Sequence, residues 1–76
     1  MRYLVVIEPA ETGFSAYAPD LPGCVATGAA VEEVECEMRE AVEFHVEGLK
    51  LEGYPVPAPS ARSAYVEVAS GIAGAA

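Results

Sequence analysis

The sequence predicts an α+β fold in the order β-β-β-α-β: a three-stranded antiparallel meander plus one added strand, with one long helix packed on the sheet. Three observations predict it. Short β-branched and aromatic segments, separated by Pro- and Gly-containing turns, fill residues 2–28. From residue 31 to residue 50 the apolar residues recur three or four positions apart, the helical period. A second short β-branched run, at 64–69, follows three alternating prolines.

Each element has its own warrant. In residues 2–8, Tyr3, Val5 and Ile7 alternate with Leu4 and Val6, so both faces are apolar, as in a central strand covered on two sides. Pro9 and Gly13 bracket a turn, since Pro cannot continue the ladder and Gly can take positive φ. Phe14, Ala16 and Ala18 alternate with Ser15 and Tyr17 as a second strand, and a hairpin follows. Pro19, Asp20, Leu21, Pro22 and Gly23 form a dense breaker cluster before a short third strand at 24–27. In the helix, Val31, Val34, Met38, Ala41, Val42, His45 and Leu49 make the apolar stripe, and Gly53 marks the stop. Ala30 stands where a Ser or Thr would form a capping box with Glu33, so the first turn is expected to fray, at a cost of about 1 kcal/mol. Pro55, Pro57 and Pro59 make an extended connector to a fourth strand at 64–69, most simply parallel to and beside the first. Residues 1–69 read as one domain and the Gly- and Ala-rich 70–76 as a loose tail.

Composition bounds the function. Seventy-six residues allow one core, and 53% hydrophobic against 21% charged residues means that the chain folds. Twelve acids against four bases leave a net charge of −8, which opposes phosphate backbones and anionic membranes and favours a basic partner. Direct nucleic-acid binding is not expected. Cys24 and Cys36 fit no CxxC or metal-ligand spacing and read as free thiols in a reducing compartment. The apolar run at 4–7 is too short for a secretory signal or a membrane span, so the expected location is cytoplasmic.

Charge is concentrated on the helix. Glu32, Glu33, Glu37, Glu40, Glu43 and Glu47 fall away from the apolar stripe and Glu35 lies near its edge. Arg39 and Lys50 are the only bases over that stretch, so the face is poorly neutralised. Such a face can simply be solvated, or it can await a basic partner. His45, the single histidine, sits within the apolar stripe and reads as a half-buried imidazole; a metal site would need further ligands at workable spacing. Neither a cofactor nor a metal is expected. The two-sided apolar first strand argues for a homodimer or higher homo-oligomer, one sheet face stacking on its copy.

The run Gly13-Phe14-Ser15-Ala16-Tyr17-Ala18-Pro19-Asp20-Leu21-Pro22-Gly23-Cys24 resembles the signature of the HicB antitoxin family. The setting is similar too: an apolar strand before it, Ala26-Thr27-Gly28 and Val31-Glu32-Glu33-Val34 after it, then Met38-Arg39-Glu40-Ala41 and the proline series. The resemblance implies a partial, non-catalytic ribonuclease H-like fold. It implies a type II toxin-antitoxin role, masking a small basic HicA-like mRNA-cleaving ribonuclease. Asp20, otherwise a turn former, then joins Glu33, Glu37, Glu40, Glu43 and Glu47 as candidate partner contacts. Many relatives continue into a DNA-binding segment that would begin about where this sequence ends, so autorepression by these residues alone is not expected. Two other readings stand beside it: a solitary HicB-like regulator of another basic protein, and a residual metal-dependent nuclease. The latter would start from Glu8, near where a ribonuclease H begins its acidic cluster, and would need several converging carboxylates.

Overall fold

The alternating segments form β1 (Val6–Pro9), β2 (Phe14–Tyr17) and β3 (Val25–Gly28), and the helical period forms α1 (Val31–Glu52). The structure is a computed structural model, and it describes residues 1–69. The loose tail expected at 70–76 lies outside the described residues. Strand β1 pairs antiparallel with β2, Val6 opposite Tyr17 and Pro9 opposite Phe14. Strand β2 pairs antiparallel with β3, Tyr17 opposite Val25 and Phe14 opposite Gly28. The sheet order is β1-β2-β3, the meander that the turn residues predict.

Alternation decides what the sheet buries. Ala16 of β2 is buried on the helix side, with Phe14, Ala26 and Ile7 packed around it, while Tyr17 and Val25 stand exposed on the outer side. The core proper is Ala16, Ala18, Leu21, Cys24, Val34 and Met38. Leu21 comes from the breaker loop and is fully buried. Two turns put it there: Leu21 N–H donates to the Ala18 carbonyl, and Cys24 N–H to the Leu21 carbonyl, both at 3.0 Å. The second turn has Pro22 and Gly23 as its middle residues, and Gly23 has φ +85°, the left-handed conformation that such a turn requires. Ala18 N–H closes the loop onto the Cys24 carbonyl at 3.2 Å. Cys24 therefore spends its backbone groups on the loop, and β3 starts one residue later than expected.

The helix lies against β3 and β2. A Cβ on Gly28 would come within 2.9 Å of the Val34 backbone nitrogen, so glycine lets the end of β3 and the first turn of α1 touch. The start of α1 is better held than the sequence suggests. Ala30 has extended φ −137°, ψ 161° and no side-chain cap, but the Glu33 carboxylate reaches back and accepts the Ala29 N–H. That is half of a capping box, shifted by one residue. At the far end Gly53, φ +76°, donates to the Lys50 carbonyl at 3.1 Å and Tyr54 N–H to the Leu49 carbonyl at 2.9 Å. This paired closure by a left-handed glycine stops the helix where expected.

The α+β class, the antiparallel meander and the long helix agree with the sequence; the added strand does not. Residues 54–69 form no strand, and every residue from 62 to 69 is exposed. Strand β1 is correspondingly an edge, ordered as a strand only from Val6, and not the central strand read from its two apolar faces. Anchors on the connector explain the difference. The Tyr3 hydroxyl donates to the Pro57 carbonyl, and Asp20 holds Ser60 and Ala61. Extended prolines thus carry the chain across the end of the sheet and not along its β1 edge.

Candidate protein-binding face

Helix geometry assembles the exposed face. At about 100° per residue, Glu33, Glu37, Glu40, Phe44, Glu47 and Leu51 fall on one stripe about 80° wide, opposite the buried Val34 and Met38. Glu43 lies at the border of this stripe. All the glutamates named are exposed. Phe44 and Leu51 are 82% and 84% exposed, which a packing role does not explain. The result is an acidic stripe with two large apolar side chains set into its second half.

The sequence-predicted candidates divide by what they touch. Glu37, Glu40, Glu43 and Glu47 project from this outer side of α1, whereas the Glu33 carboxylate is turned back to the Ala29 N–H. Asp20 stands apart, in the loop between β2 and β3. Its Oδ2 accepts the N–H groups of Ser60 at 2.9 Å and Ala61 at 3.0 Å, and its Oδ1 accepts the Ser60 hydroxyl at 3.0 Å. These bonds favour the carboxylate, the Ala61 N–H most, and hold the Asp20 pKa below its ordinary value. Asp20 is thus a clasp for the connector, and the structure does not bring it together with the helix acids.

Other chemistry-bearing residues are separate. Glu8 is exposed on β1. Among the described residues, no group of three or more His, Cys, Asp or Glu is placed to hold a metal ion. His45 is half-buried beside Gly48 and Tyr54, in a shallow dimple of about 300 Å³. Cys24 is buried and Cys36 exposed, both free thiols, and burial pushes the Cys24 thiol pKa up. No helix among the described residues is long and apolar enough to cross a membrane.

Sequence reasoning did not place Phe44, Leu51 or the connector anchors. The first two carry a signal: both occur at glutamate-face positions, seven residues apart, where a solvated helix face would not place large apolar side chains. The anchors carry none, because Tyr3 with Pro57 and Asp20 with Ser60 are contacts between distant parts of the chain.

Comparisons with known proteins add to this geometry. Residues 3–71 match the family described as HicB_like antitoxin of bacterial toxin-antitoxin system. The chain is 30% identical over 66 residues to an uncharacterized 14.9 kDa protein of Haemophilus phage HP1, covering 87% of this chain and 50% of the phage protein. It is 38% identical over 57 residues to a UPF0150 protein of Synechocystis, covering 74% of this chain and 72% of the relative. A UPF0150 protein of Thermoplasma acidophilum is 32% identical over 62 residues, covering 80% and 90%. The chain thus spans about half the length of the phage relative. Among solved structures, a chain of the HicA3 and HicB3 toxin-antitoxin complex superposes with a TM-score of 0.69 at 33% identity, covering 79% of this chain and 70% of that one.

Proposed function

Because this chain belongs to the HicB-like antitoxin family of bacterial toxin-antitoxin systems, we propose that it binds and masks a small basic HicA-like ribonuclease in the cytoplasm, through the outer stripe of α1. In this reading the chain performs no chemistry itself and touches no nucleic acid. The observation that carries the proposal is the stripe: Glu37, Glu40 and Glu47 surround Phe44, with Leu51 two turns beyond Phe44, all exposed. A net charge of −8 steers a basic partner toward the chain, and rim charges set the encounter rate. Affinity comes from elsewhere, because exposed ion pairs contribute little and buried aromatic anchors contribute most. Phe44 is the aromatic anchor that the stripe offers. The structural likeness to a chain of the HicA3 and HicB3 complex supports a toxin of that kind as the partner.

The test is rescue. Co-expressed with a HicA-like toxin, the chain restores growth and co-purifies with it. Phe44→Ser weakens the complex by tenfold or more, on the order of the 2 kcal/mol of an anchor residue. Glu37→Lys with Glu40→Lys slows association and flattens its salt dependence. Rescue and co-purification undiminished in both variants would sink this surface as the binding face. Failure of the unaltered chain to rescue or to co-purify would sink the toxin as the partner.

A further inference from the structure

We infer that residues 64–68 are an exchange strand: in a pair of identical chains, each lays this segment antiparallel along the open β1 edge of the other. Three observations converge on it. Among the described residues strand β1 pairs only with β2, so its other edge is open there. The stretch Tyr3, Leu4, Val5, Val6 and Ile7 along that edge is apolar on both faces yet only half-buried. Open apolar edges recruit strands unless something covers them. Meanwhile Tyr65, Val66 and Val68 are 103%, 85% and 68% exposed to solvent, in an alternating β-branched segment.

The anchors keep the segment off its own edge. Extending the β1–β2 register by three residues sets Tyr3 opposite Asp20, so the clasps on Pro57, Ser60 and Ala61 lie together at one end of the sheet. The chain leaves from there. Its radius of gyration, 15.4 Å, exceeds the ~11 Å of a compact chain of this length, as a projecting arm requires.

Charge and periodicity choose the pairing. Antiparallel, with Glu67 opposite Arg2, Val66 lies opposite Tyr3 and Ala64 opposite Val5. Ala64, Val66 and Val68 then face an open groove of about 620 Å³ whose walls include Met1, Tyr3, Val5, Ile7, Met38 and Val42. Tyr65 and Glu67 fall on the outer face, Tyr65 beside Leu4. In parallel, the register that sets Glu67 opposite Arg2 leaves only residues 66–68 on the edge, while the one that lays the whole segment along it with Ala64 opposite Val5 sets Glu67 opposite Glu8, like charge against like. Area supports a stable pair. Exchange is reciprocal, so two arms and two β1 edges are covered at once, with Ala64, Val66 and Val68 of each arm facing a groove, and each contact counts twice toward the ~1,000 Å² that a specific interface needs. The need is also clear: among the described residues only six are buried, two of them alanines, and small cores are commonly completed by oligomerisation.

Light scattering on the full chain at micromolar concentration is expected to give twice the 7.9 kDa chain mass. Val66→Lys, at an exposed position that leaves the circular dichroism unchanged, raises the dimer dissociation constant at least tenfold. For direction, a chain with Arg2→Cys and one with Glu67→Cys are mixed, both carrying Cys36→Ser, and oxidised; a disulfide between the two chains is expected. Three results overturn the inference. One is a monomer whose 64–68 amides exchange at unprotected rates. Another is a monomer that protects those amides and closes the disulfide within one doubly substituted chain, meaning that the arm folds back on its own edge. The third is a dimer indifferent to Val66→Lys and uncross-linked on mixing, which places the contact on the outer sheet row of Val6, Tyr17 and Val25.

Discussion

Val34 and Met38, in the first half of α1, are 0% and 1% exposed, whereas Phe44 and Leu51, in the second half, are 82% and 84% exposed. Both halves have the same secondary structure and similar apolar content. What differs is what the rest of the chain can bring to each. The first half meets the end of β3 at the Gly28 contact, receives Leu21 from the breaker loop, and is tied back through Glu33. The second half has Val42, Val46 and Leu49 half-covered on its inner side and, among the described residues, no layer on its outer side. One continuous helix thus serves two purposes. Its start stabilises the domain, and its end presents apolar side chains among carboxylates. Helix stability depends on the packed face and not on propensity, so the outer residues of the second half can be assigned to binding at little cost to folding.

The largest effect expected from this contrast is at Met38. Met38→Ala removes a fully buried side chain from between the sheet and the groove, and buried Met to Ala substitutions cost roughly 2–5 kcal/mol. Urea denaturation is the measurement, with the midpoint falling and the slope kept. A loss below about 1 kcal/mol would mean that the first half of the helix is not what holds the domain together.

A smaller and more local effect is expected where the connector is clasped. The Asp20 carboxyl has its folded-state pKa below the ordinary 3.8, because the Ala61 and Ser60 N–H groups favour the anion. A depressed carboxyl pKa adds stability in full above the unfolded value, and that stability is lost as pH falls through the folded value. Amides of residues 60 and 61 should therefore lose protection on acidification below the ordinary carboxylate range, before the sheet does. Asp20→Asn should abolish that step. An unchanged acid profile in this variant would remove Asp20 as the clasp.

The elements of the sequence that were legible are those whose signal is local. Periodicity marked α1 to within two residues at its end, because Gly53 closes it with backbone bonds that need no distant partner. Turn chemistry ordered the meander for the same reason. The acidic outer face was legible too, since angle follows from spacing. What was not legible depends on long-range contacts. Leu21 looked like one more residue in a breaker cluster, and only the two successive turns reveal it as the centre of the core. The run at 64–69 has a strand's pattern and no ladder, because pattern specifies propensity while pairing depends on where Tyr3 and Asp20 hold the connector. Glu33 was read as a surface acid, and its reach to Ala29 N–H replaces the cap that Ala30 cannot supply.

The smallest expected effect is the one that sharpens the contrast most. Phe44→Ser deletes an aromatic ring that is 82% exposed, so the free chain should change in stability by no more than about 0.5 kcal/mol, the usual range for surface substitutions. Thermal unfolding at two concentrations well apart is the measurement, since coupling to self-association makes the midpoint concentration-dependent. An unchanged midpoint, together with weakened toxin binding, assigns the second half of α1 to recognition. A loss of more than about 1 kcal/mol at low concentration would instead show that Phe44 is covered in the folded chain, and the division of the helix into a holding half and a presenting half would not stand.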